Sequence, residues 1–246
     1  MALPEVVTRE QWLEARRALL DQEKKATRAR DALNADRRRL PMVKVEKDYA
    51  FEGPDGTVRL VDLFAGKPQL IVQHVMFGPD WDEVCPGCSG SIAEQSEGLL
   101  SHLGSRGTNF VLVSRAPYPK IAAKKAERGW ITPWFSSNGS DFNYDYHVSL
   151  DATVTPIEYN YRDEGELRDS SAAWILGEPS EQPGLSCFLR DGDTIYHTYS
   201  TFARGSEYLG GSYTMLDLTA LGRQEEWEEP KGRVEKPGPS LPFFPS

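Results

Sequence analysis

The sequence feature that most constrains the fold is a nearly continuous apolar run at residues 70–77, LIVQHVMF. A run of this kind is typical of a strand that is buried on both faces, as in parallel sheets. A turn rich in Gly, Pro and Asp follows, and CPGC at 85–88 then begins a helix-compatible stretch that extends to Leu103. A second buried strand is predicted at 109–114 and a further helix at 120–128. This alternation predicts an α/β fold with a central sheet covered by helices.

Two predicted hairpins flank this unit. Residues 49–60 read as two short strands around a Pro-Asp-Gly turn, and residues 185–199 as a longer hairpin around an Asp-Gly turn. Residues 151–182 are polar and without clear periodicity, so we interpret them as a loop region inserted into a main domain over 41–220. Several prolines in 221–246 exclude a regular helix and predict an extended tail.

The N-terminal segment, residues 1–40, is predicted to be a helical extension. Thr8 followed by Gln11 fits a capping box, and no Gly or Pro occurs from there to residue 40. Apolar residues recur every seven positions, at Trp12, Leu19, Ala26, Leu33 and Leu40. So narrow a seam fits a helix that lies across its own domain or against a second subunit, and a homodimer through this helix is one expectation. The seam itself would be the functional surface if the protein were a binding module.

Composition restricts the class of protein. The 246 residues include 28 Lys plus Arg against 37 Asp plus Glu, for a net charge of −9. An acidic chain is not expected to bind nucleic acid or an anionic membrane, because both require a basic face. No apolar run approaches the roughly 20 residues of a membrane span, and the first residues lack the order of a secretory signal. Three cysteines are too few for a disulfide scaffold, so we predict a cytoplasmic protein.

The CPGC segment is the most specific chemical signal. If Cys85 lies in the first turn of a helix, free N–H groups there favour a thiolate and make a nucleophile at neutral pH. Cys88 lies on the same helix face and can resolve a mixed disulfide. We therefore predict an oxidoreductase for thiol–disulfide or peroxide chemistry that needs no cofactor. Its partner would be a small-molecule or protein disulfide. By contrast, Cys187 is expected to be a buried, inert cysteine.

The charges near the pair leave an alternative open. Asp82 and Glu83 precede the cysteines, no Lys or Arg occurs between Gln69 and Arg106, and negative charge disfavours a thiolate. The missing positive charge would then be a metal ion, because two thiolates with imidazoles suit copper or zinc. This alternative predicts a metal-binding protein or a metal-dependent oxidase. Its candidate ligands are Cys85, Cys88, His197, His147 and His74.

Four residues are expected to support the cysteine pair. Trp81 and Asp82 lie in the turn before it. His197 and Tyr199 lie in the last predicted hairpin, where strand ends in open α/β sheets often carry ligand-binding residues. Among the histidines, His197 is ranked first for a functional role.

Several longer motifs occur together in a known family. They are MFGPDWDEVCPGC at 76–88, VSRAP at 113–117, SDFNYDYHVS at 140–149 and YHTYSTFARG at 196–205. In this combination the chain resembles, over nearly its whole length, the bacterial family called domain of unknown function 899. The resemblance implies a thioredoxin-like fold of the peroxiredoxin type with an N-terminal helical extension. It implies no particular reaction.

The sequence also departs from ordinary thioredoxins. Those proteins place Trp directly before the first cysteine and a cis-proline beside the dithiol, whereas here Trp81 lies four residues before Cys85 and the nearest proline is Pro183. A copper-binding protein of this fold would be similar to the Sco-type copper chaperones, which pair two cysteines with a later histidine. His197 is the closest positional match to that histidine.

Overall fold

The computed structural model describes residues 3–209 and 211–238, and its centre is a mixed eight-stranded sheet. The described strands are β1 (Val43–Lys44), β2 (Ala50–Gly53), β3 (Gly56–Arg59), β4 (Gln69–His74), β5 (Thr108–Ser114), β6 (Trp134–Ser136), β7 (Ser149–Leu150), β8 (Ser180–Glu181), β9 (Gly184–Asp191) and β10 (Thr194–Phe202). The described α-helices are α1 (Arg9–Arg37), α2 (Pro86–Ala93), α3 (Glu97–Gly104), α4 (Tyr118–Arg128), α5 (Phe142–Asp145), α6 (Glu164–Arg168) and α7 (Ser212–Leu216). The sheet order is β1-β10-β9-β4-β5-β6-β2-β3, while β7 and β8 form a separate pair.

Strand β4 lies inside the sheet, parallel to β5 on one side and antiparallel to β9 on the other. Helices α2 and α3 connect β4 to β5, and α4 connects β5 to the next parallel strand, β6. Ile92 of α2 and Ile121 of α4 belong to one buried cluster, so these helices cover the same face of the sheet. The predicted α/β architecture, with a central mixed sheet, flanking helices and a long N-terminal helix, is confirmed.

Side chains of the central strand alternate between two cores. Leu70 and Val72 pack with Phe142 of α5, whereas Ile71 and Val75 pack against the cluster that holds α2 and α4. We call the first side of the sheet the aromatic face and the second side the helix face. This alternation decides on which side each polar residue of the central strand lies.

The helix predicted to run from the cysteines to Leu103 is in fact two helices. α2 ends at Ala93, and the side chain of Ser96 caps α3 by accepting the N–H of Leu99 at 3.2 Å. Between the two helices, the side chain of Gln95 turns into the interior, where it is 6% exposed. The break therefore reflects a cap and a buried amide, which helix periodicity alone does not show.

Helix α1 is formed as predicted but packs on little of its own domain. Thr8 and Gln11 make the expected capping box, with hydrogen bonds of 3.3 Å and 3.0 Å. No residue of α1 is buried, so the expectation that it lies across its own domain is wrong. One contact with the body is the guanidinium of Arg37, which lies 5.4 Å from the ring centroid of Tyr199.

The remaining segments are described in part. The inserted region contains α6 and β8, and its Leu167 and Ile175 pack in a small core that also includes Phe202 of β10. The predicted tail over 221–246 is described only to residue 238. It consists there mainly of turns, so the expectation of an extended segment is wrong for residues 221–238. None of the described helices combines the length and the apolarity needed to cross a bilayer.

Replacement of Phe142 by Ala tests the aromatic face. Its ring is fully buried and lies 5.1 Å from Tyr49, 4.9 Å from Phe51 and 4.6 Å from Tyr146, as centroid distances. We expect Phe142→Ala to lower the free energy of unfolding by about 3–5 kcal/mol, measured by urea denaturation. Trp174→Ala, at a ring that is 66% exposed, is the control and should change it by about 0.5 kcal/mol or less. Equal losses in the two variants would contradict this account.

Candidate functional site

Cys85 is the residue at which α2 begins. It is the N-cap, and Pro86 is the first helical residue, a position where the missing N–H of proline costs nothing. The N–H of Cys85 donates to the carbonyl of Met76 at 3.1 Å, and its carbonyl accepts the N–H of Ser89 at 2.9 Å. Both main-chain groups are therefore satisfied, and the partly exposed thiol is held at the N-terminal end of the helix.

Cys88 is the buried member of the pair, with 5% of its surface exposed. It lies on the inner side of α2 within the same apolar cluster as Val84 and Ile92. Its sulfur accepts a hydrogen bond from the N–H of Met76 at 3.4 Å. Both cysteines are free thiols in this structure, and a hydrogen bond joins their side chains.

The two thiols are chemically unequal. The hydrogen bond from Cys88 lowers the pKa of Cys85 to about 6, and the main-chain N–H groups of Cys88 and Gly87 act in the same direction against the effect of burial. The same hydrogen bond, together with burial, raises the pKa of Cys88 well above its usual range. At neutral pH the outer sulfur is therefore a thiolate and the inner one a thiol.

The positive charge that the sequence lacks around the cysteines comes from α4. Lys120 donates from Nζ to the carbonyls of Pro79 and Trp81, at 3.0 Å and 2.9 Å. One turn later, Lys124 forms an ion pair with Glu83 at 2.5 Å. These two lysines hold the acidic turn that precedes Cys85 and reduce its negative charge. Sequence reasoning missed them, although their spacing of four residues places both on one face of a helix.

The supporting residues predicted from the sequence lie at different distances from the site. Trp81 is half-buried in the same apolar cluster as Cys85. Asp82 points into solvent with 98% of its side chain exposed, 3.9 Å from Lys120. Tyr199 lies on β10, two strands away from β4. The structure thus places Trp81 in the site and Asp82 at its rim, and it does not bring Tyr199 to the cysteines.

The histidines are not grouped with the cysteines. His74 and His197 both lie on the aromatic face, near the ring of Tyr146, whereas the cysteines lie on the helix face. His147 is partly exposed and lies 3.8 Å from Glu158. Within residues 3–209 and 211–238, no group of three His, Cys, Asp or Glu side chains is placed to hold a metal ion. The expected grouping is wrong because alternation along β4 sends residue 74 to the opposite side from the cysteine turn.

His74 and His197 are instead the ends of a buried chain of hydrogen bonds. Nε2 of His74 lies 2.9 Å from Oγ of Ser186, which lies 2.8 Å from Oγ of Ser200. The latter oxygen lies 2.7 Å from Nε2 of His197. Burial, with a smaller effect of His197, lowers the pKa of His74 to about 3, and burial also lowers the pKa of His197. Both rings are therefore neutral in the folded protein at neutral pH.

His74 should make the stability of the protein depend on pH. The pKa of His74 is near 6.5 in the unfolded chain and about 3 in the folded protein. Between these two pH values the unfolded state therefore binds a proton that the folded state does not bind. The contribution of His74 to stability is complete above pH 6.5 and declines as the pH falls. We expect His74→Gln to reduce the slope of unfolding free energy against pH below 6.5 by about 1.4 kcal/mol per pH unit.

The control for this experiment is the same substitution at the exposed His102. Urea denaturation between pH 7 and 4.5 should show an unchanged slope for His102→Gln. If the slope of His74→Gln equals that of the original protein, the neutral buried state of His74 is not correct.

A buried chain of polar side chains beneath the cysteines was also missed from the sequence. The donors and acceptors run in one direction, from the hydroxyl of Thr132 through Gln95, Gln73 and Ser91 to the carbonyl of Cys88. The four hydrogen bonds measure 2.7, 2.6, 2.8 and 3.0 Å in that order. We call these four side chains the amide chain. The signal in the sequence was Gln73, since a polar residue inside an apolar strand requires buried partners.

The family of the protein is decided by its sequence. Residues 1–237 match the family described as "Bacterial protein of unknown function (DUF899)". The chain belongs to this family. The family resemblance noted from the motifs is thus confirmed, and the match includes α1 and the cysteine pair. No curated protein sequence shows significant similarity to the chain.

The chain is also similar to solved structures, at low sequence identity. One is peroxiredoxin Q of Xanthomonas campestris, with 12% identity, a TM-score of 0.44 and coverage of 74% of this chain and 98% of that one. The bacterioferritin comigratory protein of the same organism has 12% identity and a TM-score of 0.41, and the match covers 69% of this chain and 94% of that one. Peroxidoxin BcpB from Mycobacterium tuberculosis has 15% identity and a TM-score of 0.38, and the match covers 69% of this chain and 94% of that one.

Pro183, the nearest candidate for the proline beside the dithiol, does not have the cis peptide bond of ordinary thioredoxins. Pro183 directly precedes β9, but within the part of the chain that the structure describes, the only cis peptide bond is the one before Pro230. The peptide bond before Pro183 is therefore trans.

Proposed function

We propose that this protein is a thiol-based oxidoreductase in which Cys85 is the nucleophile and Cys88 the resolving thiol. The observation that supports this most directly is the unequal pair: a partly exposed sulfur with a lowered pKa next to a buried sulfur with a raised one. A thiolate attacks disulfides and peroxides, whereas a thiol does not. We therefore assign the first attack to the outer cysteine.

The proposed reaction with a disulfide has two steps. The Cys85 thiolate attacks one sulfur of the substrate, and the other sulfur leaves as a thiolate and takes up a proton. Cys88 then loses its proton and attacks the Cys85 sulfur of the mixed disulfide, which releases the second substrate thiol. The substrate gains two electrons and two protons, and the protein is left with a Cys85–Cys88 disulfide that an external dithiol must reduce.

The environment of Cys88 favours the second step. The hydrogen bond and the negative charge of Cys85 both raise the pKa of Cys88, and both disappear once Cys85 is bound in a mixed disulfide. The N–H of Met76 stays in place to stabilise the thiolate of Cys88. Formation of the first intermediate therefore prepares the inner cysteine for attack.

A peroxide is the second class of electron acceptor for the same pair. Attack of the Cys85 thiolate on a peroxide oxygen would give a sulfenic acid and release water or an alcohol. Condensation of that sulfenic acid with Cys88 would form the same intramolecular disulfide and release water. Consumption of peroxide and of a disulfide can be compared in one preparation of the reduced protein.

Thiol replacement tests the assigned roles. We expect Cys88→Ser to accumulate a mixed disulfide with a disulfide substrate, because the resolving thiol is gone, and Cys85→Ser to accumulate none. Cys187→Ser is the matched control and should react like the original protein, since burial raises the pKa of Cys187 to about 11. Mass spectrometry of the intact protein measures the adduct. A trapped adduct on Cys88 rather than Cys85 would contradict the proposal.

The pH dependence gives a second test of the same pair. Because the pKa of Cys85 is lowered to about 6, its thiolate is present above that pH and is lost as the pH falls through it. The rate of alkylation of Cys85 by iodoacetamide should therefore rise with a midpoint near pH 6 in the Cys88-containing protein. A midpoint at or above 8.5, the value of an ordinary cysteine, would contradict the account.

Elemental analysis of the purified protein separates this proposal from the metal-binding alternative. The redox proposal expects no stoichiometric metal after purification and after incubation with copper or zinc. One equivalent of either metal that is lost in Cys85→Ser would favour the metal-binding function and contradict the redox one.

The amide chain is expected to position the dithiol, and Gln73 is its central member. Gln73→Met keeps the length of the side chain but removes the hydrogen bonds to Gln95 and Ser91, which frees α2 to shift against the sheet. We expect the alkylation midpoint of Cys85 to rise by at least half a pH unit, because the N–H groups of the first turn lose their alignment with the sulfur. Gln69→Met, at an exposed site of the same strand, is the control. A loss of stability without a change in the midpoint would show that Gln73 supports only the fold.

A further inference from the structure

Helix α1 and the turn that follows it expose an apolar seam that no residue in the described ranges 3–209 and 211–238 covers. Trp12, Leu19, Leu33 and Leu40 are 45%, 49%, 51% and 49% exposed, and Ala26 between them is also exposed. The helix spans 29 residues, or about 44 Å at 1.5 Å per residue, without one buried side chain. A long helix in water is stabilised chiefly by packing of an apolar face, so this seam requires a partner.

The spacing of the seam shows what kind of partner fits. Its residues recur every seven positions, and a repeat of seven keeps an apolar stripe in register with another helix over several turns. The repeat covers about four heptads, which is enough for one helix pair and too short for an extended coiled coil. The partner is therefore another α-helix of similar length.

The seam is also symmetric about its midpoint. Ala26 is the centre, Leu19 and Leu33 lie seven residues to either side of it, and Trp12 and Leu40 lie fourteen residues to either side. In an antiparallel pair of identical helices, residue i meets residue j and residue j meets residue i. A large residue then meets a large residue at each level, and the two small alanines meet at the centre, where the helices approach most closely.

Charge decides between the two orientations of such a pair. Residues 9–24 contain four basic and four acidic residues, whereas residues 25–39 contain six basic and two acidic residues. A parallel pair would set the two basic halves side by side, which costs free energy through like-charge repulsion. An antiparallel pair sets each basic half against a neutral half.

We propose that the protein is a homodimer in which α1 pairs antiparallel with α1 of a second copy, centred on Ala26. Leu19 then packs against Leu33 of the partner subunit and Trp12 against Leu40 of the partner subunit, which lies just beyond the end of the helix. The partner is a second copy of this chain because the seam matches itself in size at every level and the antiparallel arrangement keeps the two basic halves apart. The proposal is independent of the redox chemistry, since α1 contributes no residue to the cysteine site.

The first test is the mass of the full-length protein by light scattering after size exclusion. We expect about twice the monomer mass of 27.6 kDa, and a monomer for Leu19→Asp combined with Leu33→Asp. Because α1 buries no side chain in its own domain, the body of this variant should stay folded, which the unchanged alkylation midpoint of Cys85 would show. Leu218→Asp, at another apolar residue that is 81% exposed, is the control and should remain a dimer. A monomeric original protein would overturn the proposal and leave a different protein as the occupant of the seam.

Disulfide cross-linking tests the orientation. In a chain whose three cysteines are replaced by Ser, Leu19→Cys together with Leu33→Cys should form a covalent dimer on mild oxidation. Leu19→Cys alone should not, because in an antiparallel pair centred on Ala26 the two copies of residue 19 lie about 21 Å apart along the axis. A covalent dimer from Leu19→Cys alone would show a parallel pair and overturn the proposed arrangement.

Discussion

The pairing of β4 on both of its edges is the constraint on which the rest of the structure depends. Six consecutive residues of β4 are in register with β5 on one side and with β9 on the other. This fixes the strand at the centre of the sheet, and with it the direction of every side chain along it. It also fixes the end of the strand, where the carbonyl and N–H of Met76 bind the main chain of Cys85 and the sulfur of Cys88. The position of the two cysteines is therefore fixed by hydrogen bonds to the residue that follows the central strand.

The fold and the position of the cysteine pair could be predicted from the sequence because both depend on local signals. Apolar runs mark the buried strands, and Pro86 directly after Cys85 marks the start of a helix. The surroundings of the site could not be predicted in the same way. Lys120 reaches the turn around Trp81 from a helix some forty residues later, and only the packed structure brings them together. The histidines show the same limit, since strand register, which the sequence leaves open, decided the face on which His197 lies.

The activation of Cys85 rests on main-chain groups and on its neighbouring thiol. The hydrogen bonds that lower its pKa come from Cys88 and from the N–H groups of the first helical turn, and no basic side chain contributes to the lowered pKa. The lysines of α4 bind the acidic turn before Cys85 rather than Cys85 itself, and they hold that turn in a fixed position. An acidic environment and a lowered pKa of Cys85 are therefore compatible here, because a helix N-terminus supplies its partial positive charge at hydrogen-bonding distance whereas exposed carboxylates are screened by water.

This form of activation makes the site sensitive to the exact position of α2. Main-chain donors act only over hydrogen-bonding distances, so a small shift of the first turn would cost more than the loss of a distant charge. Helix α2 has only eight residues, too few for a stable helix on its own, and it ends at a break before α3. The amide chain connects this short helix to β4 through Gln73, and each of its hydrogen bonds polarises the next because all donate in the same direction. A row of neutral hydrogen-bonded side chains thus connects this short helix to the central strand without the desolvation cost of burying an ion.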